Sequence, residues 1–333
     1  MQLSKKTIIA TFQGIAFGDA FGVGVEFKSR FWMKDNVHFD KYVNVWKDGI
    51  NNITPGTYSD DTEHTIGLIE ALLSDEQFTA ELLLKKWKAE YDNDKTKKGF
   101  PRDGHGSIEA WYKGEKTIEA VRAEQTSRID PGNGPVMRAV PLAFVNGDQL
   151  HDYCIINADS THPHPLAREA TLITALTGWY FLRDGNSASQ LIDFLLAYFH
   201  NSFETKRLLE MIDALPAPED LTEADYVLLH GEQPIPWISW DKTIYGLPCA
   251  VMKTALNAVY ILKHRTNAFE ALKTSILMGG DVDSLAAICT GIAAGAYGLE
   301  SLPQDLLLQT EGFDRMAELG ERMYDKFFVS QAV

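Results

Sequence analysis

Apolar residues recur at helical spacing along nearly the whole chain, and no segment shows the alternation of a half-buried strand. Residues 5–21 place Ile8, Ile9, Phe12, Ile15 and Ala16 on one face, with Gly14, Gly18 and Gly22 recurring every fourth residue. That glycine stripe has two readings: close packing of another helix, or approach of the backbone to a ligand. Ile66, Ile69, Leu72 and Leu73 mark a second helix, and Leu82, Leu83 and Trp87 an amphipathic one over 79–90. The polar run Asp92–Lys98 reads as a solvated loop. Further helices are expected over 166–182, twice within 187–214, over 243–262, over 268–278, and at the end of the chain. With no repeat and no Gly-, Ser- or Pro-rich linker, the expectation is one all-α domain spanning residues 1–333.

One helical segment breaks the amphipathic rule. Leu285–Ala296 is apolar or small on every face, so it belongs in an interior. At 12 residues it is too short to span a bilayer. It follows Gly279-Gly280-Asp281-Val282-Asp283-Ser284, which brings two carboxylates and a hydroxyl to its first turn. Carboxylates are costly to bury without a partner, and a divalent cation is the most economical one. A second acidic turn, Ser59-Asp60-Asp61-Thr62-Glu63-His64, precedes the Ile66 helix. Asp60 and Glu63 have capping-box spacing, which accounts for one or two of these polar residues. Consecutive helical residues point about 100° apart, so Ser59, Asp60 and Asp61 can converge only from the turn before the helix. Cap and cation site both remain open from this stretch.

Other turns carry chemistry-bearing residues. Glu26 follows Gly22-Val-Gly24 among apolar neighbours. Asp103 and His105 lie in a glycine-punctuated turn over 99–107, where turn chemistry alone would justify the glycines. Gly132-Asn133-Gly134-Pro135 leaves backbone N–H groups at a helix start, a geometry that suits phosphate, although many such turns bind nothing. His162 and His164, fixed by Pro163 and Pro165, form either a plain cap or a rigid polar turn facing a ligand. The Pro- and Trp-rich stretch 215–241 reads as an inserted loop or a lid.

Composition narrows the classes. A formal charge of -15, from 31 basic and 46 acidic residues, argues against nucleic-acid binding through a basic surface. The N-terminal residues show no secretory pattern, and no run is expected to reach transmembrane length. Cys154, Cys249 and Cys289 are scattered in apolar contexts, so a reduced, cytoplasmic protein is expected.

Five segments in order, GIAFGDAFGVGVEF, YSDDTEHT, GNGPVMRAVPLAF, STHPHPLAREATLITA and GGDVDSLAAICTGIAAGAYG, resemble the ADP-ribosylglycohydrolase family over roughly residues 8 to 300. The resemblance implies an orthogonal multi-helix fold with a dinuclear cleft holding two divalent cations, Mg2+ or Mn2+. Ser59, Asp60, Asp61, Asp281, Asp283 and Ser284 would be the ligands. Serine stands at both places where the family commonly has threonine, and either hydroxyl can coordinate. Oxygen-only ligands suit hard cations. The resemblance further implies that Glu26 lies beside the metals and that Asp103 faces the scissile bond. Gly132, Asn133, Gly134 and His162 would touch the ADP-ribose. The implied activity is hydrolysis of the bond between ADP-ribose and an acceptor, with arginine on a protein as the leading acceptor. Other ADP-ribose conjugates, or a catalytically silent ADP-ribose-binding relative, are the alternatives. A monomer without membrane or nucleic-acid partners is expected.

Overall fold

Ser4 opens the first helix by accepting a hydrogen bond from Thr7 N at 3.2 Å, one of several local caps that set where helices begin. The computed structural model describes residues 3–45, 54–98, 102, 104–183 and 187–329. The helices that frame the core are α1 Lys5–Gly22, α2 Asp60–Leu73, α3 Ala80–Lys98, α4 Pro165–Arg183, α5 Val251–His264, α6 Ala268–Leu277, α7 Val282–Tyr297 and α8 Phe313–Tyr324. No β-strand forms among the described residues. The fold is all-α.

α1 and α7 are the central pair, and the glycine stripe is their seam. A Cβ on Gly18 would fall 2.2 Å from the Ala286 carbonyl oxygen, and one on Gly22 would fall 2.5 Å from Asp283 Cα. On the facing side, a Cβ on Gly291 would meet Ile15 Cγ1 at 2.4 Å. The close-packing reading of the stripe therefore holds. It also has a consequence for chemistry, because Gly22 sets the acidic turn of α7 directly against the end of α1. Leu285, Ile288, Cys289 and Ile292 of α7 are fully buried, as all-round apolarity requires. Burial of each large aliphatic side chain contributes about 1.5–3 kcal/mol. α8 covers the other side of α1, α6 flanks α7, α4 packs on α5, and α2 pairs with α3.

Three expectations change. The polar run 92–98 is not a loop: α3 continues through it to Lys98, because it contains no helix breaker and Lys88 pairs with Asp92 one turn on. The helix expected from 243 begins only at Val251, because the backbone around Gly246 and Leu247 bonds elsewhere. Finally, the α1 segment continued to Val25 is long and apolar enough to cross a membrane, yet 94% of its most apolar 18 residues are buried inside the fold. It is the core helix against α7.

Candidate active site

The acidic turn before α7 is held by backbone. Gly279 and Gly280 have φ of 69° and 77°, a region that disfavours side chains. Gly280 N donates to Lys28 O at 2.8 Å, Phe27 N to Gly280 O at 2.7 Å, and Asp281 N to Leu247 O at 2.9 Å. A Cβ on Gly280 would lie 2.1 Å from the Leu247 carbonyl oxygen. These isolated bridges tie three distant segments into one junction. They also bring Glu26 to the acidic turn: one carboxylate oxygen each from Glu26, Asp281 and Asp283 lie within 4.8 Å of one another. Asp281 is the N-cap residue of α7 and Asp283 lies in its first turn.

The start of α2 is capped from outside. Asp19 of α1, wholly buried, accepts from Ser59 N at 2.9 Å, Thr62 N at 2.9 Å and Thr62 Oγ1 at 2.6 Å. Ser59 Oγ accepts from Asp61 N at 3.2 Å. The expected Asp60–Glu63 capping box is absent. Glu63 instead lies 2.6 Å from His105 Nε2 in a buried pair lined by Tyr91 and Tyr112, with His64 Nε2 bonded to Tyr112 Oη at 2.9 Å. Asp60 and Asp61 are also not in the turn before the helix, but are its first two residues. With the end amides satisfied by Asp19 and Ser59, their carboxylates are released from capping. At the open end of a helix they can face out together.

The result is a buried nest of acids. Asp60, Asp61, Asp281 and Asp283 are each at most 5% exposed, and Ser59 and Ser284 lie among them. Burial raises the Asp60 carboxyl from its usual 3.8 to about 7, with Asp19, Glu63 and Asp281 adding to the rise and His105 opposing it. Burial followed by repulsion from Asp60, Asp19 and Asp281 pushes Asp61 well up. Burial followed by Glu26, Asp61 and Asp281 does the same to Asp283. Arg138, wholly buried beside them, is the cation that feels Asp60 and Asp61, and burial is the larger influence on it. Asp61 Oδ1 is buried without a hydrogen-bond partner. A buried, mutually repelling, oxygen-only set with an orphaned acceptor fits a hard divalent cation.

A cleft of about 150 Å3 opens beside the nest, lined among others by Asp60, His105, Asn133, Gly134, Arg138 and His162. Asn133 reaches into the acids: its Nδ2 donates to Asp281 Oδ2 at 2.7 Å, and its Oδ1 accepts from Cys249 Sγ at 2.9 Å. Gly132 N is not available to a ligand, since it donates to Gln125 Oε1 at 3.0 Å. The helix after the turn is only Gly134–Met137, with Pro135 at its second position. His162 Nδ1 pairs with Thr161 Oγ1 at 2.7 Å, and its ring packs on Gly132 and Gly134. His164 is the capping histidine, accepting from Leu166 N at 3.1 Å. Asp103 lies outside the described residues. Beside it, Arg102 is pinned to Tyr58 O, Glu311 and Asp94, and a Cβ on Gly104 would fall 2.0 Å from Asp60 Oδ1. Gly104 thus lies directly against Asp60.

Sequence reasoning reaches Gly18-Asp19 only as backbone approaching a ligand; it misses the Asp19 carboxylate as the cap of α2, and it misses Cys249. Asp19 had a signal, a lone carboxylate inside an otherwise apolar helix. Cys249 had none, because its role depends on the junction at Leu247.

A profile of the ADP-ribosylglycohydrolase family matches residues 2–332. The chain belongs to the ADP-ribosylglycohydrolase family. Its relatives include ADP-ribosylhydrolase ARH3 of Xenopus tropicalis, 25% identical with 96% of each chain covered. The ADP-ribosyl-[dinitrogen reductase] glycohydrolase of Rhodospirillum rubrum is 24% identical, covering 90% of this chain and 88% of its own. ADP-ribosylarginine hydrolase Tri1 of Serratia proteamaculans is 22% identical, covering 93% of this chain and 77% of its own. A solved structure titled ADP-ribosylglycohydrolase-related protein complex superposes with a TM-score of 0.67 at 21% identity, over 96% of this chain and 97% of that one. This glycohydrolase is therefore an enzyme whose chemistry is hydrolysis of an ADP-ribose conjugate.

Proposed function

We propose that the enzyme releases ADP-ribose from ADP-ribosylated arginine on proteins, using divalent cations, Mg2+ or Mn2+, held by Ser59, Asp60, Asp61, Asp281, Asp283 and Ser284. The observation that carries the metal reading is the nest itself: two helix starts some 220 residues apart converge on one buried, repelling acid cluster. Bound cations would neutralise these carboxylates, polarise the ribose hydroxyls and acidify water.

The chain's own residues supply the rest. Asn133 holds Asp281 through its amide, so the side toward the cleft keeps one orientation. The Asn133 and Gly134 amides donate to no described residue, which leaves them for the diphosphate, while His162 walls that turn. Cleavage at the anomeric carbon passes through an oxocarbenium-like state. Among Glu26, Asp281 and Asp283, Glu26 is the carboxylate that is only partly buried, and in this reading it takes the proton from the attacking water. Asp103 is the alternative carrier of that role. The leaving guanidine takes a proton as the bond to C1 breaks.

Support for a cationic acceptor comes from Phe27, adjacent to Glu26. Its ring lies 5.6 Å from Trp237 and 6.2 Å from Trp240, which are 50% and 62% exposed. Exposed aromatic faces attract guanidinium groups. The net charge of -15 favours the same acceptor. The test supplies the enzyme and Mg2+ with arginine-linked and serine-linked ADP-ribosyl peptides and follows free ADP-ribose. Faster release from arginine is expected. Release from serine alone would reject the acceptor, and release from neither would reject the function.

A further inference from the structure

A larger cavity, of about 490 Å3, lies away from the acid nest, behind the Gly279–Asp281 junction. Its lining joins three cations, Arg30, Lys34 and Arg265, to two aromatic rings, Phe31 and Tyr226, and an apolar wall of Leu221, Leu277 and Met278. Glu219 and Glu223 complete the rim. None of these residues takes part in the hydrolytic site.

Arg30 is the feature that asks for a ligand. It is 5% exposed, and its guanidinium carbon sits 4.4 Å from the Phe31 ring centre and 4.3 Å from that of Tyr226. Rings on a guanidinium leave its N–H groups radiating in the plane between them. One amine, Nη2, meets Glu223, and Nη1 has no acceptor at all. A buried cationic donor without an acceptor is an unusual residue to keep. Arg265 repeats the arrangement less deeply, with Nε on Thr274 Oγ1 at 2.7 Å and Nη2 on Glu219. Both carboxylate partners are surface groups, Glu223 71% and Glu219 64% exposed, so each can turn to solvent at little cost. The arginines, 5% and 15% exposed, stay. Lys34 is exposed and pairs with no described acid. Phe31, 52% exposed, offers an open ring at the edge.

We infer that this cavity is a second ligand site, taking a small molecule in which a planar ring carries a phosphate group. The ring lies against Phe31 and the apolar wall, and the phosphate oxygens accept from Arg30, Arg265 and Lys34. The size suits one ring with its substituents. An uncharged ring lacks the acceptors, and phosphate alone lacks the ring.

Phenyl phosphate is the probe, titrated calorimetrically into the full-length protein with Mg2+ present, alongside benzyl alcohol and inorganic phosphate. Saturable one-to-one binding of phenyl phosphate is expected, tighter than either control. Arg265→Met should weaken it by about tenfold, since one charge-assisted pair is lost. Arg30→Met should weaken it further; where that variant misfolds, Lys34→Ala and Arg265→Met together carry the test. Asn133→Ala, which alters the hydrolytic cleft, should leave the affinity unchanged. The inference is overturned by absent saturation at millimolar probe, by affinity unmoved in Arg265→Met, by loss in Asn133→Ala, or by inorganic phosphate binding as tightly as phenyl phosphate.

Discussion

At the residue scale, the question is why a folding chain would keep four buried aspartates that repel one another. Asp61 is the sharpest case: buried, pushed up by desolvation and three neighbouring acids, and with one oxygen lacking a partner. In cation-free protein its charge is a liability, which the proposed cation would turn into a ligand. Asp61→Asn should therefore raise the melting temperature of protein stripped with EDTA, yet abolish the rise that Mg2+ gives the native chain. A melting temperature lowered in EDTA would mean that the carboxylate holds the fold and not a cation. Asp19 should behave oppositely. Its two oxygens accept from the Ser59 and Thr62 amides at the start of α2, so Asp19→Ala loses a cap and, being buried, should destabilise the protein by about 1–2 kcal/mol or more, with or without cations. Thermal melts of the two variants separate ligand from cap.

At the element scale, the site is a by-product of how closely α1 and α7 approach. Gly18→Ala places a methyl 2.2 Å from a main-chain carbonyl oxygen, which side-chain motion cannot relieve. The helices must part, at about 1–3 kcal/mol. Because the next glycine in the stripe sits on Asp283, Gly22→Ala should also weaken cation binding measured by calorimetry, although neither residue is a ligand. Cation affinity unchanged in Gly22→Ala would detach the seam from the site. Much of this was legible in the sequence. The four-residue glycine period, the all-round apolar α7 and both acidic turns are local signals, and local periodicity reports which face of a helix is buried. What escaped is non-local. Asp19 capping α2, Leu247 bonding Asp281, and Glu63 paired with His105 instead of its own helix end all depend on segments far apart in the chain. The extension of α3 to Lys98 escaped for a different reason. Its last turns are polar, and their buried Asp94 is fixed by Arg102, an ion pair that periodicity does not reveal.

At the scale of the whole molecule, the nest makes stability depend on pH and cation together. Asp60 has its folded-state pKa raised to about 7, above the ordinary 3.8. Between those values the folded chain holds a proton that the unfolded chain has released, so the stability of the cation-free protein falls as pH rises through that window. Above about 7 both states are ionised at this group and its contribution levels off. A cation binds only the ionised form, so the gain in melting temperature on adding Mg2+ or Mn2+ should be larger near pH 8 than near pH 5.5. Equal gains at both would contradict the placement of the cation at these carboxylates. The acidic overall charge works in the same direction, concentrating divalent cations near the surface.

The most direct measurement follows free ADP-ribose released from ADP-ribosylated protein by the native enzyme, by enzyme stripped with EDTA, by the same sample after Mg2+ or Mn2+ is restored, and by Asp283→Ala. The account predicts release that EDTA stops, that the cation restores, and that Asp283→Ala lowers by about a hundredfold or more, the scale expected when a group essential to transition-state charge is lost. Release undiminished by EDTA and by Asp283→Ala would contradict it.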